Sequence, residues 1–542
     1  MRPTTPALLA LLLAPSALAG PVIRVHLSDA ARTTPATGRL IVLMKAPGSK
    51  IAAGTDPLEG PFWEEEQPLF AADVKDLRPG AVFELKAGPG VDSFPVDLDH
   101  LAPGAYEVQA RLDTVREDSS WRRQTGNLYS KARATLTIAR AGGDAAIDVT
   151  LDAATVEPAR EAAPGLEWFS VKSELLSKFR GHEVLLRAGV ALPAGYDPTR
   201  KYAAVYEVPG FGGDDRDAEH KAHARQAGKA SALDRGVFWI VLNPEGPNGH
   251  TLFADSANNG PCGKALVEEL IPALEKKFPL VARPEARLLR GHSSGGWSTL
   301  WLATEYPGTF GACWSSSPDP VDFRRFQVMD IYAQHFFYGI PQNGLRSSDA
   351  AKAEDAIRKI PQALMAPVGL DMQRFVSYRR DGRPIMTVER EARGEDMLGP
   401  DNTSAQQWDS WFAAWGPRNA AGHPQALFDP ATGMIDHELA ARYRPYDIAD
   451  RLRKDPQRFV PIFRNNIRLV VGDADNFFLN EAVDLLKHDL EALPEYAATP
   501  AGPGFITIVG GGLDHSSIFA SKELHAFEAQ MLDHLKAAGL TP

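Results

Sequence analysis

Residues Arg287-Leu288-Leu289-Arg290-Gly291-His292-Ser293-Ser294-Gly295-Gly296-Trp297 set a Gly-x-Ser-x-Gly pattern between a short apolar run and a stretch of helical character that Pro307 ends. A strand that gives way to a helix across a single serine must turn sharply, and glycines on both sides let backbone pass close without side-chain clash. Such a turn lifts the hydroxyl above the end of a sheet. It also aims the first amides of the following helix at that hydroxyl, where developing negative charge is stabilised. The pattern therefore asks for a mainly parallel sheet with helices on its faces, and it makes Ser293 the candidate nucleophile. Ser294, the nearest rival, has its glycines at the wrong offsets. The bland alternative is a plain strand-to-helix turn.

The chain around this motif has the matching grammar. Beyond Trp168, apolar runs read as strands at Glu183–Leu192, Ala203–Val208, Val237–Leu242, Arg287–Arg290, Ala312–Ser316, Ile467–Val471 and Phe505–Val509. They alternate with helical stretches at Lys264–Phe278, which Pro272 should bend, and at Ser294–Glu305, Asn480–Leu490 and Lys522–Ala538. That alternation is the signature of an α/β fold. Residues 318–460 interrupt it with an aromatic and charged stretch that reads as an insertion and a candidate lid. Ahead of it, residues 20–151 carry short alternating runs (Val22–Leu27, Arg39–Met44, Tyr106–Leu112, Ala134–Ile138, Ala146–Leu151) broken by Pro, Gly and Asp, as a β-sandwich does. Residues 152–166, rich in Ala, Pro and Glu, read as the linker to a catalytic domain spanning 167–542. At 542 residues the chain exceeds what one core usually organises.

Arg2, the apolar run Ala7–Leu13 and the small-residue exit Ala17-Leu18-Ala19 have the three-part form of a secretory signal, so residues 1–19 are expected to be removed and the protein to work in the periplasm or outside the cell. No later run is long enough to span a bilayer. A net charge of -11 argues against nucleic acid as a partner. The two cysteines, Cys262 and Cys313, are too few for a disulfide scaffold or a multi-cysteine metal site, and no cofactor or metal is implied. In an oxidising compartment they could pair beside the active site; the competing reading is two buried thiols.

A serine hydroxyl is a poor nucleophile without a base, so a carboxylate and a histidine are required downstream in that order. Ile467–Val471 opens into Gly472-Asp473-Ala474-Asp475-Asn476, which places Asp475, with Asp473 as the rival, where a carboxylate could orient an imidazole. A calcium loop fails here because Phe477 and Phe478 follow. Phe505–Val509 runs into Gly510-Gly511-Gly512-Leu513-Asp514-His515, delivering His515 as the base just before the last helix. Upstream, Ala203–Val208 ends in Pro209-Gly210-Phe211-Gly212-Gly213, a turn suited to give one oxyanion-hole amide, from Phe211 or Gly212, with the second from Ser294.

Gly291-His292-Ser293-Ser294-Gly295-Gly296 followed by Phe310-Gly311-Ala312 resembles the nucleophile segment of the putative-esterase family, which includes enterochelin esterases, feruloyl esterases, S-formylglutathione hydrolases and antigen-85 mycolyltransferases. The resemblance spans about residues 183–316 and 460–538. It implies an α/β-hydrolase fold and cleavage of a small-molecule or polymer-linked carboxylic ester. Pro209 stands where that family generally has a histidine before the glycine. Two other readings remain open on sequence: acyl transfer to a sugar or lipid alcohol, and a secreted binding protein without catalysis.

Overall fold

Runs rich in β-branched and aromatic residues form the strands and periodic apolar stretches the helices of a computed structural model, which describes residues 20–338 and 376–540. The expected secretion signal, residues 1–19, lies outside the described residues, as does the middle of the expected insertion. The chain divides into two units, Met1–Thr114 with Asn127–Ala154 and Val115–Gly126 with Thr155–Pro542.

In the first unit, strands of the smaller sheet alternate buried and outward-facing side chains, while the central strands of the larger sheet are buried on both faces. Val22–Leu27 buries every second residue, so Ile23, Val25 and Leu27 face a core and their neighbours face outward. It is the middle strand of a three-stranded sheet, antiparallel to Val82–Lys86 and parallel to Ala146–Leu151. A second, seven-stranded sheet is built around Ala36–Lys45 and Gly104–Asp113, and Leu40, Val42, Met44, Val108 and Leu112 join the same core. The expected linker begins too early. Ala153–Ala154 still pairs with Leu128–Tyr129, because small residues fit an edge strand as readily as a linker.

The second unit is an eight-stranded sheet. Its strands are β1 (Leu166–Lys172), β2 (Leu185–Ala191), β3 (Ala204–Val208), β4 (Phe238–Leu242), β5 (Arg287–His292), β6 (Ala312–Ser316), β7 (Ile467–Gly472) and β8 (Phe505–Val509), in the spatial order 1-2-4-3-5-6-7-8. β1 and β2 are antiparallel; from β4 onward neighbours are parallel. This is the α/β-hydrolase order, with β1 an edge strand that the apolar pattern alone had not announced. Both faces are covered. Tyr206, Leu289 and Leu469 point into one core with α1 (Ser294–Glu305) and α2 (Leu479–Ala492). Val205, Leu288 and Val470 point into the other with Leu524, Phe527 and Met531 of α3 (Lys522–Ala537). Parallel register brings the carboxyl ends level, with Val208 opposite Gly291, His292 opposite Ser316 and Gly472 opposite Val509. The loops after β3, β5, β6, β7 and β8 therefore gather at one edge, where open α/β sheets bind ligands.

Two further expectations gain structural detail and one, the disulfide, is overturned. The bend at Pro272 takes the form of a π-helical turn, Leu266–Leu270, between α-helical Cys262–Ala265 and Ile271–Lys277. Proline has no N–H to return to the preceding turn, and the Ile271 amide instead reaches back five residues to Leu266. The insertion does not stand apart: Trp408, Trp411 and Trp415 of Gln407–Trp415 belong to the core of the sheet's helical face, and Trp415 lies 5.2 Å from Trp297 of α1. Nor is there a disulfide. Cys262 and Cys313 are buried free thiols, and burial pushes both up to about 12. Cys262 opens its helix after the long loop that follows β4, whereas Cys313 is the second residue of β6, about 10 Å of strand before that strand's carboxyl end.

Candidate active site

Ser293 sits between β5 and α1 with φ 58° and ψ −127°, a left-handed backbone that a side-chain-bearing residue adopts only at a cost of about 1–3 kcal/mol. The surroundings enforce it. The Ser293 amide donates to the Ser316 carbonyl at the end of β6 (3.0 Å), and its carbonyl accepts from Trp297 in α1 (3.1 Å). A methyl on Gly291 would overlap the Gly295 carbonyl and one on Gly295 would overlap the Val208 carbonyl, so only glycine fits at either place. The helix begins at Ser294, whose amide is one of the donors a helix N-terminus leaves without an intrahelical partner.

His515 and Asp475 meet across the ends of β7 and β8. The imidazole Nδ1 donates to Asp475 Oδ2 at 2.8 Å; the carboxylate is fully buried and the imidazole side chain is 12% exposed. Nδ1 carrying the proton leaves Nε2 as the basic nitrogen. Burial alone would depress this imidazole, but the carboxylates of Asp475, Asp319 and Asp514 outweigh it and hold the pKa above the usual histidine value. Asp475 Oδ1 accepts from the Phe477 amide (2.9 Å), and Asn476 Oδ1 accepts from the His515 amide (3.0 Å). The rival Asp473 faces elsewhere: its carboxylate accepts the amides of Gly511, Gly512 and Leu513, tying down the loop that carries His515.

The turn after β3 closes on Ser293. A Cβ added to Gly210 would lie 3.3 Å from Ser293 Cβ and 4.0 Å from Ser293 Oγ. The Gly213 amide donates to Gly210 O at 3.0 Å, and Arg123 Nη1 donates to Gly212 O at 3.0 Å. No described residue accepts a hydrogen bond from the amides of Gly210, Phe211 or Gly212. The loop thus turns carbonyls away and leaves donors beside the hydroxyl.

Several residues of this edge carry no motif. Asp319, after β6, is buried; its Oδ2 accepts from the Ser294 hydroxyl and from Trp411 Nε1, both at 2.7 Å, and burial pushes its carboxyl up to about 6. Arg379, on the hairpin strand Val376–Arg380, donates to the Asp475 carbonyl and lies over the Phe478 ring at 4.4 Å. Phe477 meets the His515 ring edge-on at 5.0 Å, and exposed Phe519 stacks near His292 at 4.5 Å. Only three-dimensional proximity identifies these, since isolated Asp, Arg and Phe residues are common in loops. Among the described residues, the one group of side chains able to converge on a metal is Asp97, Asp99 and His100 in the first unit, none of which belongs to this site.

Residues 185–484 match the family described as putative esterase, a span that contains Ser293 and Asp475 and ends before His515. No curated protein is significantly similar in sequence. Among solved structures, a ferulic acid esterase is similar at 11% identity, over 68% of this chain and 97% of its own, with a TM-score of 0.35. An S-formylglutathione hydrolase from Agrobacterium tumefaciens is similar at 14% identity, over 70% and 98%, with a TM-score of 0.37. A fluorophosphonate-binding serine hydrolase of Staphylococcus aureus is similar at 11% identity, over 68% and 98%, with a TM-score of 0.34.

Proposed function

The chain belongs to the putative esterase family; from that premise we propose that it is a serine carboxylic ester hydrolase working through an acyl-enzyme on Ser293, with His515 as base and Asp475 as the orienting acid, outside the cytoplasm. The observation that carries the reading is the 2.8 Å bond from His515 Nδ1 to the buried Asp475, which leaves Nε2 free to take a proton. Ser293 Oγ attacks the ester carbonyl as its proton passes to His515 Nε2. The carbonyl electrons collect on the oxygen, facing the Ser294 amide and that of Phe211 or Gly212. Collapse breaks the ester C–O bond, and the imidazolium returns its proton to the departing alcohol. Water, deprotonated by the same nitrogen, then cleaves the acyl-serine to acid and free enzyme.

Phe477, edge-on to His515, and exposed Phe519, tilted against His292, favour an ester with an apolar or aryl group, small or polymer-linked. Export rests on Arg2, Ala7–Leu13 and Ala17-Leu18-Ala19. Among the described residues no helix is long and apolar enough to cross a membrane. The test is labelling with a fluorophosphonate probe followed by a panel of acyl-chain, acetyl-sugar and feruloyl esters. Label on Ser293 and hydrolysis of at least one ester class are expected; label elsewhere, or none, refutes the assignment.

A further inference from the structure

We infer that His250 is the positioning residue that sets the oxyanion loop, a role resting on the Ser293 reading above. The loop opens on Pro209, and a histidine from another part of the chain packs against it. His250 lies on the two-residue strand Gly249–His250, paired with Glu245–Gly246 after β4, and is fully buried. Its Nδ1 accepts the Leu252 amide at 3.1 Å, so that nitrogen carries no proton, and its Nε2–H donates to the Pro209 carbonyl at 3.0 Å. A backbone amide thus fixes the tautomer, and the tautomer fixes the direction of one peptide. Because a trans peptide points its C=O and N–H oppositely, holding the Pro209 carbonyl against His250 turns the Gly210 amide away from it and so fixes the direction in which the turn carrying the candidate donors Phe211 and Gly212 leaves β3. Gly210 is the residue packed on Ser293.

The other loop carbonyls are held too, Gly210 by Gly213 and Gly212 by Arg123, but both of those bonds lie farther along the turn. His250 is the side chain that holds the first peptide of the turn, directly after β3. Burial lowers its pKa to about 4, so the imidazole stays neutral and keeps both bonds at the pH where an esterase base works.

Two substitutions separate positioning from packing. His250→Asn keeps an acceptor near the Nδ1 position for Leu252 but cannot reach Pro209; His250→Gln places a donor near the Nε2 position. Hydrolysis of an aryl ester is measured with rates normalised to fluorophosphonate-titrated sites, so that a misfolded fraction does not mimic a loss. His250→Asn is expected to lower kcat about 100-fold, the scale of one impaired oxyanion donor, with KM within about 2-fold. His250→Gln is expected to recover to within about 5-fold of wild type. A change carried by KM, an Asn variant within about 3-fold of wild type, or a Gln variant as slow as Asn would each overturn the positioning role. A wild type that takes up no probe would instead overturn the Ser293 reading and this role with it.

Discussion

Ser293 holds a left-handed backbone that alanine tolerates no worse, so Ser293→Ala should fold with an unchanged melting temperature while losing esterase activity by at least about 1000-fold. Retention of a tenth of the wild-type rate would remove Ser293 from the chemistry. For the acid, Asp475→Asn should lower kcat by about 10,000-fold, because an amide at 2.8 Å from Nδ1 favours the wrong tautomer. Asp473→Asn should cost less than about 10-fold, since an amide oxygen still accepts from the Gly512 and Leu513 amides. Steady-state kinetics of the pair checks the ranking, and the reverse order would exchange the two roles. The pH profile follows from the same contacts: His515 must be neutral to act, its carboxylate neighbours hold its pKa above 6.5, and kcat/KM should rise with pH through a value above that. Two aspartates two residues apart look alike in sequence; which one meets the imidazole depends on the direction each side chain leaves the β7 loop.

At the scale of elements, the elbow is legible because its glycines are demanded by backbone contact. Gly295→Ala would drive a methyl into the β3 carbonyl of Val208, and it should cost more than about 2 kcal/mol in denaturant unfolding or abolish folding. β6, β8 and α1 have the bounds their apolar runs indicated, since an unbroken apolar run announces an element by composition whether it ends buried, as β6 and α1 do, or half-buried, as β8 does. The π-turn before Pro272 was not legible. Proline signals a missing donor, but whether a helix answers by kinking, stopping or widening depends on what packs against it. The packing of the insertion was not legible for a related reason: it interrupts the sheet's rhythm between β6 and β7 as its sequence indicated, but that Trp408, Trp411 and Trp415 join the core is decided only by contacts such as Trp411 with Asp319 and Trp415 with Trp297.

For the whole molecule, the thiols give a direct check. Alkylation of the native protein should leave Cys262 and Cys313 unmodified, and unfolding without reductant should expose two reactive thiols by mass; none would mean a bridge after all. Stability should also record His250. Its folded pKa of about 4 lies below the unfolded value near 6.5, so its contribution is complete above pH 6.5 and is lost as pH falls toward 4. Across that window the wild type should lose about 3 kcal/mol relative to His250→Gln, which has no proton to take up there. Sequence by itself determined the α/β architecture, the β-rich unit ahead of it, the strand-to-helix elbow at Ser293 and the strand-end loops that carry Asp475 and His515, because periodicity, glycine placement and strand-end position are local properties of the chain. Tertiary structure alone decided the partner of His515, the free thiols, and the convergence of Asp319, Arg379 and His250 on the site. Those rest on distances between residues far apart in sequence, which strand order and register set and no local pattern encodes.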